Sequence, residues 1–341
     1  MKRPNSTAII ARTLALNAVL STLTFGSMEP RDDGAFVHDR IVQANASLFT
    51  EAYFSEALTG FAMGWKDVEP ILETLEFFAP QVLVPRRFDY AEFANAEEFY
   101  SEDNDARAIG ADFGIVEYTQ SEIEAKTINR GLKICVDLDQ VADKEGWREH
   151  YAQKLMRRLQ RNSLRRAIAL LSAAATNTAK TWDSTAGKDP DADITADLIT
   201  AADAAGVRPN RVGFGDTSWN KRYTSHRAQN TAGGFASAQL TPEQLASILM
   251  VDEVKVSKEH YSTGGTKSQA VGNLVLMFNA SAGQDKEDAS NIKRFVSPCE
   301  GGTVYRVYEQ QISEKLYVIT VECYELTKIT STLGIRKFTV S

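Results

Sequence analysis

Two adjoining blocks of opposite charge constrain this chain more than any other feature. Residues 86–124 contain about 11 acidic and 3 basic side chains, interspersed with Phe88, Tyr90, Phe93, Phe99 and Tyr100. Over residues 144–166 the sign reverses, with about 8 basic and 2 acidic residues. Neighbouring blocks of opposite charge, one studded with aromatics, suggest a surface that seeks its complement. Each suits the other when presented by a second copy of the chain. The pattern is that of a protein that assembles.

The basic block lies on a predicted helix over residues 144–175. At 100° per residue, Ala152, Leu155, Met156, Leu159, Ala167 and Leu170 share one broad face. Lys154, Arg158, Arg161 and Arg165 occupy a narrow arc opposite, while Arg148 and Arg166 lie at the edge of the apolar face. At ~1.5 Å per residue such a helix is roughly 45 Å long, enough to be the backbone of the molecule.

The acidic block reads as a projecting hairpin. Residues 81–90 form an extended outbound limb. On the return limb Leu132, Ile134, Val136 and Leu138 alternate with Lys133, Cys135, Asp137 and Asp139, as in a half-buried strand. An excursion of roughly 40 residues is too long for an ordinary connection and implies a function of its own.

Upstream, residues 1–45 read as an arm that needs a partner surface. Met1-Lys2-Arg3 followed by Ala8-Ile9-Ile10 resembles a secretory leader, but Arg12 and Asn17 interrupt the run and no A-x-A site follows. A retained arm is expected. A short helix capped by Asp67 should present Ile71, Leu72, Leu75 and Phe78 on one face and stop at Pro80.

Downstream, residues 176–188 read as a linker and the texture then becomes α/β. A helix over 194–205 ends at Gly206, a strand covers 211–214, and Thr241-Pro242-Glu243-Gln244 opens a further helix with a capping box. Residues 271–278 form a central strand, and 304–308, 316–324 and 335–340 are rich in β formers.

Composition limits the chemistry. At 341 residues and 43% apolar, the chain can bury two domains' worth of core. A net charge of −7 argues against a dedicated nucleic-acid binder while leaving contact on one face open. Cys135, Cys299 and Cys323 are far apart and odd in number, which points to synthesis in a reducing cytosol and to neither a disulfide framework nor a zinc site. No apolar run reaches the length of a membrane span.

The motifs that suggest catalysis or cofactors are incomplete. Asp189-Pro190-Asp191-Ala192-Asp193 opens like a calcium loop, but Ile194 and Thr200 stand where Gly and Glu are required, so a turn into a helix is expected. Gly264-Gly265-Thr266-Lys267-Ser268 lacks the Gly before Lys of a phosphate loop, and Gly213 with Gly215 lacks the third glycine of a dinucleotide fingerprint. His38, His150, His226 and His260 show no paired metal spacing. No catalytic residue, cofactor or metal is assigned. A soluble α/β enzyme stays open as an alternative of another class.

One resemblance gathers these pieces. Lys126-Thr127-Ile128-Asn129-Arg130-Gly131-Leu132-Lys133-Ile134-Cys135-Val136-Asp137 is followed by the basic helix reaching Leu164-Arg165-Arg166-Ala167. Then come Trp182-Asp183, the Asp189–Asp193 turn, Gly206-Val207-Arg208-Pro209-Asn210-Arg211 and Trp219. Tyr317-Val318-Ile319-Thr320-Val321-Glu322 and Gly334-Ile335-Arg336-Lys337 close the series. In order and spacing, this resembles the major capsid proteins of tailed bacteriophages over about residues 80–341.

The resemblance implies an α+β phage major capsid fold: an N-terminal arm (1–50), an extended β-hairpin loop (86–125), a peripheral domain and an α/β axial domain. The peripheral domain would comprise 51–85, 126–178 and 295–330, with a spine helix and a β-sheet, and the axial domain 179–294 and 331–341. It implies a non-enzymatic subunit, made in the bacterial host cytoplasm, that assembles as hexamers and pentamers into an icosahedral virion shell around a double-stranded DNA genome. Implied partners are scaffold and portal proteins, a decoration protein and, non-specifically, the packaged DNA, with no membrane. An encapsulin-like protein compartment is the nearest alternative. Intersubunit contacts are expected at Phe88, Tyr90, Phe93, Glu97, Glu98, Phe99, Tyr100, Glu102 and Asp103, and on the basic helix face at Lys154, Arg158, Arg161 and Arg165.

Magnitudes divide the roles within the hairpin. An exposed ion pair contributes only ~0.2–1 kcal/mol, whereas burying a Phe contributes roughly 1.5–3 kcal/mol. The aromatics should anchor and the acids should set register and salt sensitivity. Two features of some relatives are not expected: no lysine stands between residues 86 and 124 for covalent welding, and no scaffolding segment of about a hundred residues precedes the hairpin.

Overall fold

The computed structural model describes residues 54–64, 71–92, 121–141, 144–281, 290–299 and 302–341. All of them lie within one unit, Glu51–Ser341. The expected arm over 1–50, the Asp67 cap and the hairpin tip fall outside the described residues. In chain order the elements are α1 (Glu56–Gly64), α2 (Ile71–Phe78), β1 (Gln81–Leu83), β2 (Arg87–Glu92), β3 (Ser121–Lys126), β4 (Ile128–Asp137), α3 (Leu138–Val141) and α4 (Trp147–Ala174). There follow β5 (Thr176–Lys180), α5 (Pro190–Ala205), β6 (Arg211–Gly215), α6 (Asp216–Ala228), α7 (Ala232–Ala238), α8 (Pro242–Leu249), β7 (Glu253–Ser257), β8 (His260–Thr263) and β9 (Thr266–Gln269). The last strands are β10 (Leu274–Phe278), β11 (Ile292–Ser297), β12 (Tyr305–Gln311), β13 (Leu316–Ile329) and β14 (Arg336–Val340).

β13 organises the first sheet. Its β-branched and aromatic residues pair antiparallel with β4 from Leu316↔Asp137 to Glu325↔Ile128. On its other side β12 and β11 share the length, and β1 adds parallel to β11. One face carries Leu132, Ile134, Val307, Ile319 and Val321, which pack with Leu155, Met156 and Leu159 of α4 and Leu58 of α1.

The second sheet has the order β5-β14-β10-β6-β7. Phe214, Val275, Met277 and Phe338 of that sheet meet Ile194 and Leu198 of α5 and Leu245 of α8. A third cluster ties the two sheets together. The C-terminal half of α4 (Leu164, Ile168, Leu171) meets Ile71, Leu75 and Phe78 of α2, Leu276 and Phe278 of β10 and Ile292 of β11. At ~1.5 Å rise per residue the 28 residues of α4 make a strut of roughly 42 Å.

Several expectations need correction. α4 starts at Trp147 after a left-handed Gly146, and Leu171 rather than Leu170 is fully buried, since the inward row steps from Ala167 and Ile168 to Leu171. Leu72 is 39% exposed, and Thr74 and Phe77 take its place inside. The single strand expected over 81–90 is two, separated at Val84-Pro85-Arg86, where proline removes a ladder donor. The linker over 176–188 contains β5, a polar edge strand that pairs parallel with β14. α5 begins at Pro190, because Asp189 caps it and proline fits the first turn. β10 starts only at Leu274, after a turn at Gly272. β5 therefore belongs to the second sheet and residues 292–294 to the first, which moves the expected borders at 178 and 294 by a few residues.

The glycines of β6 have a packing reason. A Cβ on Gly213 would lie 2.6 Å from the Phe78 ring, and one on Gly215 would lie 2.1 Å from the Gly272 carbonyl oxygen. The 264–268 motif is the β8–β9 hairpin turn, with both glycines at positive φ.

Candidate functional site

The hairpin's two limbs leave the first sheet side by side. β2 and β3 pair antiparallel from Arg87↔Lys126 to Glu92↔Ser121. Alternation puts Phe88 and Tyr90 on one face, with Ala125 and Ile123 opposite them. Both rings pack on Phe295 of β11, at 4.6 and 5.3 Å between centroids, within a cluster that includes Val82, Val84 and Leu326. Phe88 and Tyr90 are 7% and 6% exposed, so they root the hairpin in its own chain and are not presented to a neighbour as expected. Burial, reinforced by Glu92, raises the Tyr90 pKa above its ordinary value. Phe93, Glu97, Glu98, Phe99, Tyr100, Glu102 and Asp103 lie outside the described residues.

Polar contacts complete the root. The Thr127 N–H donates to the Arg86 carbonyl at 3.0 Å, and the Thr127 and Ser297 hydroxyls share a hydrogen bond of 2.9 Å. The Arg86 guanidinium sits 4.2 Å over the Tyr324 ring. From Asn129 the amide donates to Glu322 at 2.9 Å and to the Tyr324 hydroxyl at 3.1 Å, and Tyr308 donates to Glu322 at 2.7 Å.

Lys154, Arg158, Arg161 and Arg165 are all exposed on the side of α4 away from its buried row. Three of them already touch residues of their own chain, Lys154 lying 5.5 Å over the Tyr151 ring of the same helix. Arg161 pairs with Glu259 at 3.3 Å, and Arg165 lies 4.2 Å over the ring of Tyr261 in β8. The β8–β9 hairpin thus leans on the C-terminal part of the stripe, and among the described residues it leaves Lys154 and Arg158 exposed.

Sequence reasoning missed the buried charges beneath α4. Glu325 of β13 is 3% exposed and accepts from the Ser163 hydroxyl at 2.6 Å and from the Arg166 guanidinium, with Arg130 Nε at 3.6 Å. These groups join the hairpin's return strand β4, the central strand β13 and the long helix. Burial and then Arg166 lower the Arg130 pKa, against the pull of Glu325. Cys323 beside them is buried, and burial drives its thiol pKa far up, so it behaves as an inert packing group. A signal did exist: Arg166 at the edge of the apolar row marks an arginine turned toward the sheet.

The 189–193 acids are all consumed structurally. Asp189 accepts from the N–H groups of Asp191 and Ala192 at 3.1 Å each, the N-cap geometry. Asp191 takes a bidentate pair from Arg222 at 2.6 and 2.7 Å and faces His226 at 3.2 Å. Asp193 holds Lys180 at 2.7 Å and the Trp182 indole N–H at 2.9 Å. Among the described residues no group of three metal-ligating side chains occurs, and no helix is long and apolar enough to cross a membrane.

No family model matches the chain, and no curated protein matches it in sequence. Its likeness is to solved structures. A phage-related protein from Bordetella bronchiseptica RB50 superposes with a TM-score of 0.61 at 15% identity, covering 84% of this chain and 96% of that one. The capsid of cyanophage P-SCSP1u gives 0.49 at 9% identity over 78% and 87%, and a virus-like particle from Pyrococcus furiosus gives 0.44 at 12% over 79% and 95%. At such identities what is shared is the fold. The class it defines is an α+β architecture, the one this chain shares with the Bordetella phage-related protein.

Proposed function

We propose that this chain is the major capsid subunit of a tailed double-stranded DNA phage. It would be made in the bacterial cytoplasm and assemble as hexamers and pentamers into the icosahedral shell around the genome. One observation carries the reading: two paired strands, rooted by buried aromatics on the first sheet, flank a segment of acidic sequence, on a body whose long helix shows a cationic face. The fold shared with the Bordetella phage-related protein supports it. In this reading the first sheet with α4 is the peripheral domain, the second sheet with α5 and α8 the axial domain, and residues 86–125 the extended loop.

The loop of one subunit crosses the neighbour's first sheet and α4. Phe93, Phe99 and Tyr100 supply the apolar anchor there. Glu97, Glu98, Glu102 and Asp103 set the register against Lys154 and Arg158. Individual contacts are modest, but a closed shell multiplies them, because a departing subunit must break several together. The role is structural, without a catalytic step. An acidic subunit grips DNA weakly, which suits a genome that enters and leaves; scaffold, portal and decoration proteins complete the particle.

The test is size-exclusion chromatography with negative-stain electron microscopy of concentrated protein, alone and with its scaffold. Closed shells or five- and six-membered rings are expected. A chain that stayed monomeric even with scaffold present would count against this reading.

A further inference from the structure

The second sheet ends at β7, and among the described residues nothing pairs with that strand's outer side. β7 runs parallel to β6 in the register Val212↔Val254 and Phe214↔Val256. In a parallel ladder alternate residues turn both N–H and C=O toward one neighbour. The Glu253 N–H points to the Asn210 carbonyl just before β6, at 3.4 Å. The N–H and C=O groups of Val254 and Val256 therefore face outward, an open template for another strand.

A cleft flanks this edge on each face of the strand. One, of about 590 Å3, lies between β7 and the passage from α2 into β1; Phe77, Pro80 and Leu83 line it, and Glu73, Glu76 and Glu253 add carboxylates. The other, of about 530 Å3, lies between β7 and α8 and is lined by Ala246, Val251, Val254 and Val256. Main-chain groups between two side-chain clefts are what strand addition requires, the backbone giving affinity and alternate side chains giving specificity.

Charge selects the occupant. Five carboxylates line the two clefts against three cations. The cleft lining therefore keeps a net negative charge, with Arg211 fixed in place by donating to the Glu76 and Phe77 carbonyls at 3.0 and 2.6 Å. A second cation, Lys255, lies 3.9 Å from both Glu73 and Glu253. Residues 93–120 of a second copy have the wrong sign, since they carry about 7 acidic and 1 basic side chains.

The geometry points to β7 as the docking edge for an extended basic segment of a partner protein. The segment adds a strand beside Val254 and Val256, places a lysine or arginine over Leu83 among the carboxylates, and sets small apolar side chains beside Ala246. This goes beyond the shell reading and does not depend on it.

The test uses the full chain and two labelled ten-residue peptides, one alternating valine and lysine and the other valine and glutamate, followed by fluorescence anisotropy. The lysine peptide should bind saturably, and the glutamate peptide at least about tenfold more weakly. Val256→Pro removes an outward N–H, and Glu73→Lys with Glu253→Lys reverses the rim; each should weaken lysine-peptide binding at least about tenfold. Glu73 and Glu253 side chains are 75% and 45% exposed, so the charge reversal keeps the test valid should the proline variant not fold. Equal binding of both peptides, no binding up to about 1 mM, or unchanged binding by a folded Val256→Pro chain would overturn the proposal. So would a concentration-dependent dimer of the chain alone that Val256→Pro abolishes, because the edge would then serve a second copy.

Discussion

The residues whose loss should matter most in the isolated subunit are buried charges, because removing one partner leaves the other unpaired in a largely water-poor site. Glu325 answers both Arg130 and Arg166 at 3% exposure. Glu325→Ala should cost about 3–5 kcal/mol in urea denaturation, and Glu325→Gln less, since the amide oxygen still accepts from Ser163. A loss under about 1 kcal/mol would show the cluster to be solvated. Asp191 gives a pH signature. Burial would raise its pKa, but the close approach of His226 at 3.2 Å and the bidentate hydrogen bonds from Arg222 outweigh burial and hold the carboxyl below the ordinary range. A depressed folded value means its stabilisation is complete above the unfolded carboxylate pKa of about 3.9 and is lost as pH falls through the lower folded value. Asp191→Asn should therefore be less stable than the parent chain at pH 7, with the gap closing as acid is added below about pH 4. A gap independent of pH would assign the loss to packing alone.

At the scale of elements, the hairpin divides into a root and a tip with separable effects. Phe88→Ala opens a cavity against Phe295 and should cost the isolated subunit about 3–5 kcal/mol in stability. Phe93→Ala with Phe99→Ala should leave the denaturation midpoint unchanged and impair shell assembly. Normal shells from that double variant would remove the aromatic-anchor idea. Much of this was legible in the sequence, because period-two and 3.6-residue patterns report directly which side chains face a core. β4, α4, the α8 capping box and the Asp189 cap follow from such local rules. What was not legible depends on tertiary partners. Thr176–Lys180 carries no hydrophobic signal, and only its pairing with β14 makes it a strand. The aromatic spacing of Phe88 and Tyr90 is the same whether a neighbour or Phe295 receives the rings, so their inward role had to come from the structure. The basic stripe was legible as a stripe; its partial cover by Glu259 and Tyr261 was not, because those residues lie about 100 positions away in the chain.

The described residues form two sheets held by one strut, with the paired strands β2 and β3 rooted on the first sheet. Opposed charged surfaces on a single chain favour heterologous contacts, which close into rings when the rotation between copies allows. Screening follows from the same charges: at 1 M salt the Debye length is about 3 Å, so assembly should slow markedly while formed shells, held by buried aromatics, persist. Light scattering across a salt series would record this, and shells that fall apart at high salt would put the charges, not the rings, in the holding role. The most direct measurement is a cryo-electron microscopy reconstruction of particles grown from the chain with its scaffold. A closed shell is expected in which residues 93–120 of each subunit lie across the first sheet and the Lys154–Arg158 face of the next. Particles whose hairpins fold back on their own subunits, or a chain that forms no closed particle under any of these conditions, would contradict it.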